Sequence, residues 1–403
     1  MKKILFLGIS LLAIGSMSAQ VQVVKDAEHT LKGDVKKYPD VINSLKGAFT
    51  NPESANMAQT WYVAGKGALD FVNNATALQR VTNDLNAPQC AQFVLDGYEY
   101  LQKALPLDSV PDAKGKVKTK YSKDIIKQMV NNYDLTQQSG LWFYNDVKNY
   151  PKAAEAWSLM LALPENPTLK AAGLKAYPDS IKGMFEFYTG CAYSLSNQPE
   201  KALDNFLNAI KDGYTQHEAY DYAITSATQS KDLEKAAKIA EEAYKIYPEN
   251  SYLGTIINYY LDKKDFAAAS KLLEPYLEKD PNNGQVYFLK GVIADQEGKR
   301  DDAKTFYKKA IELDSQNANA LFQYAYKICE DADAIDQKEG ANISQAEYDK
   351  FCKERTFPLY REAAQYLEKA FEINENLTDC LTLLRSIYYK LGDEENLNRV
   401  KAL

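Results

Sequence analysis

The chain has 403 residues, 45% hydrophobic and 26% charged, with a formal net charge of −7 and a mean hydropathy of −0.45. Nineteen glycines and 14 prolines are too few for a low-complexity disordered chain, and the length exceeds what one compact core sustains, so several domains or a repeating architecture must follow. The acidic balance excludes the clustered basic footprint that nucleic acid requires, and two histidines, His29 and His217, leave hydrolytic and metal chemistry short of its usual residue.

At the N-terminus, Lys2 and Lys3 precede an apolar run from Ile4 to Gly15, followed by Ser16-Met17-Ser18-Ala19. A basic start, an apolar stretch too short to span a bilayer and small residues describe a secretory signal peptide over 1–19, cleaved after Ala19 or Ser18. Its short dimensions are bacterial in style. The mature chain is therefore expected to be exported, periplasmic or associated with the outer membrane. No later stretch approaches 18 apolar residues in a row, so no transmembrane segment is expected after signal removal.

Residues 20–112 read as divergent helices. Trp61-Tyr62-Val63-Ala64-Gly65 open a first helix, and a second, Val94 through Leu105, follows an extended connection. Residues 113–180 combine a linker with a further divergent pair. Lys114, Lys116, Lys118, Lys120 and Lys123 follow Pro106 and Pro111 and surround Gly115, which reads as a solvated linker rather than a phosphate patch. The pair then runs from Ile125 through Gly140–Tyr144 to Pro151 and Ala153–Trp157. Lys37-Tyr38-Pro39 and Asn149-Tyr150-Pro151 repeat one turn.

Over 181–316 the chain repeats itself. Ala202/Phe206/Ala209, Ala236/Ala240/Ala243, Ala269/Leu273/Tyr276 and Ala303/Tyr307/Ala310 share an A-x3-apolar-x2-A frame, stepping by 34, 33 and 34 with Tyr276 as the one departure. Each unit reads as two amphipathic helices. Small residues such as Gly190, Ala202 and Ala209 let helices approach, and the Phe or Tyr fills the next gap. Pro39, Pro151 and Pro199 each begin a second helix, where the missing N–H is harmless; Pro248 and Pro281 stand just past a helix end. Toward the C-terminus, Leu321–Ile328 starts a unit that resumes at Ala363, Leu367 and Ala370. Residues 331–358 are therefore an insertion, within the C-terminal repeats of 317–403 that Leu381–Leu391 closes with a capping pair.

This pattern resembles the tetratricopeptide repeat family, whose signature is W-x2-L-G-x2-Y, then A-x3-F-x2-A and a closing Pro. Gly190/Tyr193/Ala202/Phe206/Ala209 match it best, and Gly291/Ala303/Tyr307/Ala310 nearly as well. The resemblance implies an all-α fold, an α-solenoid of antiparallel helix pairs coiled into a right-handed superhelix, with a concave surface lined by first helices. Most of the 29 tyrosines and 15 phenylalanines are then inter-helix packing.

Enzyme readings fail. The sequence has no P-loop, no GxGxxG after a strand, no HExxH and no GxSxG. Glu241/Glu242 and Asp301/Asp302 read as charge on exposed helix faces and starts. No catalytic set, metal site or cofactor is expected. The cysteines, Cys90, Cys191, Cys329, Cys352 and Cys380, form no CxxC and read as buried free thiols, with Cys329–Cys352 the one pair that could bridge across the insertion. By register, the resemblance places ligands against Tyr62, Lys66, Phe187, Asp221, Thr225, Asn258, Phe288, Phe322 and Tyr326. Phe187, Asp221, Gly254, Phe288 and Phe322 occupy the position of the family's carboxylate clamp, so a C-terminal carboxylate ligand is not expected. The expectation is a non-enzymatic exported scaffold that binds a protein or peptide partner in its groove, in cell-envelope assembly. The alternative is a glycan- or nutrient-capture protein of an envelope uptake system, which exposed tryptophans among Trp61, Trp142 and Trp157 would favour.

Overall fold

The computed structural model describes residues 19–82, 84–111, 115–248, 252–340 and 343–403. The signal peptide expected over 1–19 lies, but for Ala19, outside the described residues. Among the described residues all regular structure is helical. The chain divides into two compact units, 1–239 and 240–403.

The first unit holds α1 (19–33), α2 (Tyr38–Thr50), α3 (Pro52–Ala55), α4 (Ala58–Thr82), α5 (Ala87–Leu107), α6 (Ser122–Asn131), α7 (Tyr133–Leu141), α8 (Tyr150–Ala162), α9 (Pro167–Ala171), α10 (Asp179–Leu195), α11 (Pro199–Lys211) and α12 (His217–Gln229). The boundary falls within α13 (Leu233–Ile246). The second unit continues with α14 (Tyr252–Asp262), α15 (Phe266–Lys279), α16 (Gly284–Gln296), α17 (Arg300–Leu313), α18 (Ala318–Glu339), α19 (Gln345–Phe351), α20 (Phe357–Ile373), α21 (Asp379–Leu391) and α22 (Glu394–Lys401). Within each unit consecutive helices pack as hairpins: α4 on α5, α7 on α8, α10 on α11, α16 on α17, α18 on α20.

One device recurs at the hairpin seams. A methyl built on Gly190 would sit 2.6 Å from the ring of Phe206, one on Gly291 2.5 Å from Tyr307, and one on Gly140 2.2 Å from Trp157. The first helix leaves out a side chain, and the second helix places a ring in the space. Phe206, Tyr307 and Trp157 are all fully buried there. The helix starts also follow the sequence. Pro39, Pro151 and Pro199 occupy the first turns of α2, α8 and α11, and Asn149, Asp265, Asn283 and Asn317 cap α8, α15, α16 and α18 through side-chain oxygens.

The period reappears in the turns. Asn197, Lys231, Lys264 and Gly298 have φ of 54°, 61°, 56° and 80°, and they follow one another at the spacing of the repeat. Each hairpin reverses through a left-handed residue, which only Gly298 adopts without a steric cost.

One expectation is corrected. The connection between Trp61's helix and the next is not extended: α4 continues to Thr82 and α5 begins at Ala87, so the second helix starts seven residues before Val94. Pro106 lies in the last turn of α5, which runs two residues beyond the expected end at Leu105. The expected insertion, 331–358, falls between the paired helices α18 and α20: its first part extends α18 to Glu339, and from Gln345 it forms α19 and a π-helical turn, Cys352–Thr356, that leads into α20.

Residues 115–120 are exposed and carry no regular structure. Their far end is tied down by Asp108, whose carboxylate accepts hydrogen bonds from the backbone N–H of Lys120 (2.9 Å), Tyr121 (2.8 Å) and Ser122 (2.6 Å) and from the Ser122 hydroxyl (2.6 Å). Burial alone would raise this carboxyl's pKa; the hydrogen bonds outweigh it and hold the pKa low. Asp108 thus caps α6 from outside that helix. All five cysteines are free thiols, Cys191 half-buried and the others buried, so Cys329 and Cys352 do not bridge.

Candidate functional site

In α10, Phe185 and Phe187 turn into the core, and the next residue, Tyr188, emerges on the open side with 38% of its surface exposed. Tyr222 of α12 stands one repeat later and is 46% exposed. Rings link the two positions. Phe187 stacks on Tyr214 at 4.6 Å and lies 5.8 Å from Tyr222, which stacks on Phe206 at 5.5 Å. On the other side, Tyr188 lies 6.1 Å from Trp157, Trp157 5.6 Å from Tyr144, and Tyr144 5.2 Å from Tyr150. Tyr144 owes its place to the π-helical turn Trp142–Val147, which closes where the Asn149 N–H donates to the Phe143 carbonyl at 2.8 Å.

The phenols share one neighbourhood. Burial chiefly raises the pKa of Tyr144, with Cys191, Tyr150, Tyr222 and Tyr188 adding to it, and burial likewise raises Tyr214, with Tyr188, Glu218 and Cys191 adding. These two hydroxyls are therefore neutral donors and acceptors at physiological pH. The Cys191 thiol beside them is pushed up to about 11 by burial, so it is no nucleophile. A surface of aromatic faces, neutral hydroxyls and the exposed apolar Leu195 (56%) can grip a polypeptide.

The sequence-derived groove residues scatter. Phe187 is 8% exposed, too deep to meet a partner; it is a packing residue between Tyr214, Phe206 and Tyr222, which corrects its assignment. Asp221 and Thr225 are exposed beside Tyr222 on α12; Asp221 pairs with His217 Nδ1 at 3.0 Å and its carbonyl accepts the Thr225 hydroxyl at 2.8 Å. Asn258 is exposed on α14. Phe288 is half-buried, 5.9 Å from Tyr307, and Phe322 lies 6.5 Å from Tyr326, itself 39% exposed on α18.

Tyr62 and Lys66 do come together, in a cavity of about 250 Å³ that Glu28, Lys32 and Asp70 also line. Its polar groups answer one another. Lys32 pairs with Glu28 at 2.7 Å, Lys66 with Asp70, and the Tyr62 hydroxyl donates to Asp124 at 2.7 Å. Of these contacts the Tyr62–Asp124 bond joins two helices, α4 and α6.

Tyr188 and Tyr222 each stand one residue after a register position, Phe187, which is buried, and Asp221, which is exposed. Their own spacing was the available signal, since it equals the repeat period. Trp142 and Trp157 are buried, and the half-buried Trp61 donates to the Ala55 carbonyl at 2.7 Å with the Lys103 ammonium 4.7 Å over its ring. None of the three forms an open platform. Among the described residues no group of three or more His, Cys, Asp or Glu could hold a metal ion, and no helix is long and apolar enough to cross a membrane.

A tetratricopeptide repeat family model matches residues 168–334. No curated protein matches the chain. Among solved structures, a tetratricopeptide repeat protein from Parabacteroides merdae is similar at 11% identity over 79% of this chain and 98% of its own, with a TM-score of 0.36. A TPR repeats protein from Bacteroides fragilis is similar at 19% identity over 67% of this chain and 98% of its own, with a TM-score of 0.29. YrrB, described as a TPR protein with an unusual peptide-binding site, is similar at 19% identity over 57% of this chain and 97% of its own, with a TM-score of 0.29.

Proposed function

We propose that this chain, a tetratricopeptide repeat protein, is a non-enzymatic exported scaffold that binds a protein or peptide partner on the tyrosine face of α10 and α12 and serves assembly in the cell envelope. The observation that carries the reading is the exposure of Tyr188 and Tyr222 at equivalent positions of successive first helices, Tyr188 tilted against Trp157 and Tyr222 stacked on Phe206. Tyrosines held on a rigid base lose little entropy on binding, which is why such residues dominate interface energetics. Export rests on the signal-like segment over 1–19. The alternative of glycan capture loses its favoured feature, since no tryptophan is openly displayed.

The test is capture from envelope extracts by the full chain and by the double variant Tyr188→Ala/Tyr222→Ala. The partner recovered by the wild type should fall at least tenfold, on the order of the loss from truncating two interface anchors, while the helical content is unchanged. Equal recovery with both chains removes this face from the account.

A further inference from the structure

Inside the first unit one buried acid has no charge of its own to answer it, and it sits against the floor of the tyrosine face. Glu186 of α10 is 5% exposed; its Oε2 is closed off from solvent with no hydrogen-bond donor, and its Oε1 lies 3.7 Å from the Lys182 ammonium. That ammonium belongs to Asp212, which it meets at 2.6 Å where α11 ends. Lys211 also acts on Asp212, and Glu165, in the turn after α8, acts on Lys182. Two ammoniums thus face three carboxylates, and the buried Glu186 is the charge in excess. Burial first, then the charge of Asp212, hold its proton up to about 7.

The seam that holds this acid also holds the rings. One turn before Glu186, Gly183 lets α10 rest on the end of α11. A methyl built there would stand 3.1 Å from the Ala209 carbonyl oxygen, 3.3 Å from that of Asp212 and 3.4 Å from Tyr214 Cβ. The chain reverses at Gly213, with φ of 86°, and the Tyr214 N–H donates to the Ala209 carbonyl at 2.9 Å. Tyr214 then stacks on Phe187, the residue next to Glu186, and Phe187 in turn lies against Tyr222. A carboxylate that ionises in this seam must regain water. The turn that covers it, held by fewer bonds than the helices on either side, is the element that yields.

We infer that the Glu186 proton is a latch on the tyrosine face. While it is held, the neutral carboxyl stays in the seam and Tyr214 stays under Phe187; when it is lost, the turn 212–214 opens and Tyr222 loses part of its support. The effect on partner binding rests on the tyrosine face being the partner's site, and the opening of the turn does not. Amide hydrogen exchange of the full-length protein, corrected for intrinsic rates, reads the turn at about pH 5.5 and about pH 8.5, on either side of the titration. Protection over 209–216 should fall about tenfold or more in the wild type, while α16 in the second unit is unmoved. It should stay level in Glu186→Gln, whose amide keeps the shape and cannot ionise, and Asp212→Asn, which frees Lys182 for Glu186, should shrink the fall. Equal protection of the wild-type turn at both pH values, the same fall in Glu186→Gln, or an equal fall in α16 overturns the latch. Partner capture should follow the turn, weaker by about threefold or more at the higher pH for the wild type and level for Glu186→Gln; wild-type capture that is equal at both overturns the coupling to the face. If Tyr188→Ala/Tyr222→Ala captures as well as the wild type, the partner-site reading fails and the exchange data alone decide the latch.

Discussion

The two units use similar hairpins to opposite ends. In the first, α10 and α12 carry neutral phenols outward over a floor of stacked rings, and Tyr188 and Tyr222 are left open. In the second, α16, α17 and α18 are laced by charge. Lys327, 5% exposed, pairs with Asp295 at 2.6 Å and Glu330 at 3.1 Å; Arg300 reaches Asp331 at 2.6 Å and Glu330 at 3.3 Å; Lys304 reaches Asp331 at 2.5 Å. Charges that satisfy one another hold neighbouring repeats in register and leave little for a partner. The open tyrosines also touch neighbouring hairpins, Tyr188 at Trp157 of α8 and Tyr222 at Phe206 of α11, but they keep an exposed face. A repeat scaffold can therefore assign stability and recognition to different units.

That contrast can be broken most directly at Lys327. Lys327→Ala strands Asp295 and leaves Glu330 to Arg300 alone, and should cost about 3 kcal/mol in urea denaturation, yet leave partner capture intact. A loss of capture with no loss of stability would reverse the roles of the two units. Next comes the seam that both units share. Gly190→Ala pushes a methyl into Phe206 and should cost about 2 kcal/mol, with Gly291→Ala equivalent against Tyr307; cost-free substitution at both would deny the close approach.

Glu186 sharpens the comparison, because it is a charge in the first unit that is not well answered. It is 5% exposed, 3.7 Å from the Lys182 ammonium, while Asp212 takes that ammonium at 2.6 Å. Burial first, then the charge of Asp212, raise its pKa to about 7 against the opposing pull of Lys182. The folded protein thus holds this proton more tightly than the unfolded chain. The resulting stability is full below the unfolded value near 4.5 and is lost as pH rises through about 7. Glu186→Gln should be about 1–2 kcal/mol more stable than wild type at pH 8 and no more stable at pH 4. Equal differences at both pH values would show that ionisation is not the cause. The smallest effect is in the turns. Lys264→Gly should gain roughly 0.5–1 kcal/mol by relieving a left-handed backbone, measurable as a raised Tm; a loss would mean that the lysine side chain contributes more than its strain.

Much of this fold was legible in the sequence because its period is. Four frames stepping by about one repeat placed α11, α13, α15 and α17, and the prolines marked the helix starts. What the frame could not express is what depends on non-periodic contacts. Asp108 caps α6 from the preceding helix end, and the continuation of α18 through Glu339 follows from packing against α20 rather than from any motif. The site was legible only in part. Asp221 and Thr225, assigned to the groove by register, lie beside the exposed Tyr222, whereas Phe187, assigned in the same way, is buried. Adjacent aromatics on a helix differ by a rotation that only the packed structure resolves.

The central claim, that the tyrosine face meets the partner, is most directly tested by a photoreactive phenylalanine analogue placed at position 188 or, as the contrast, at the exposed position 201 on α11. Irradiation of cells expressing each chain should give a discrete adduct from 188 that disappears when Tyr222→Ala is added, and none from 201. An adduct from 201 with none from 188 would contradict the account.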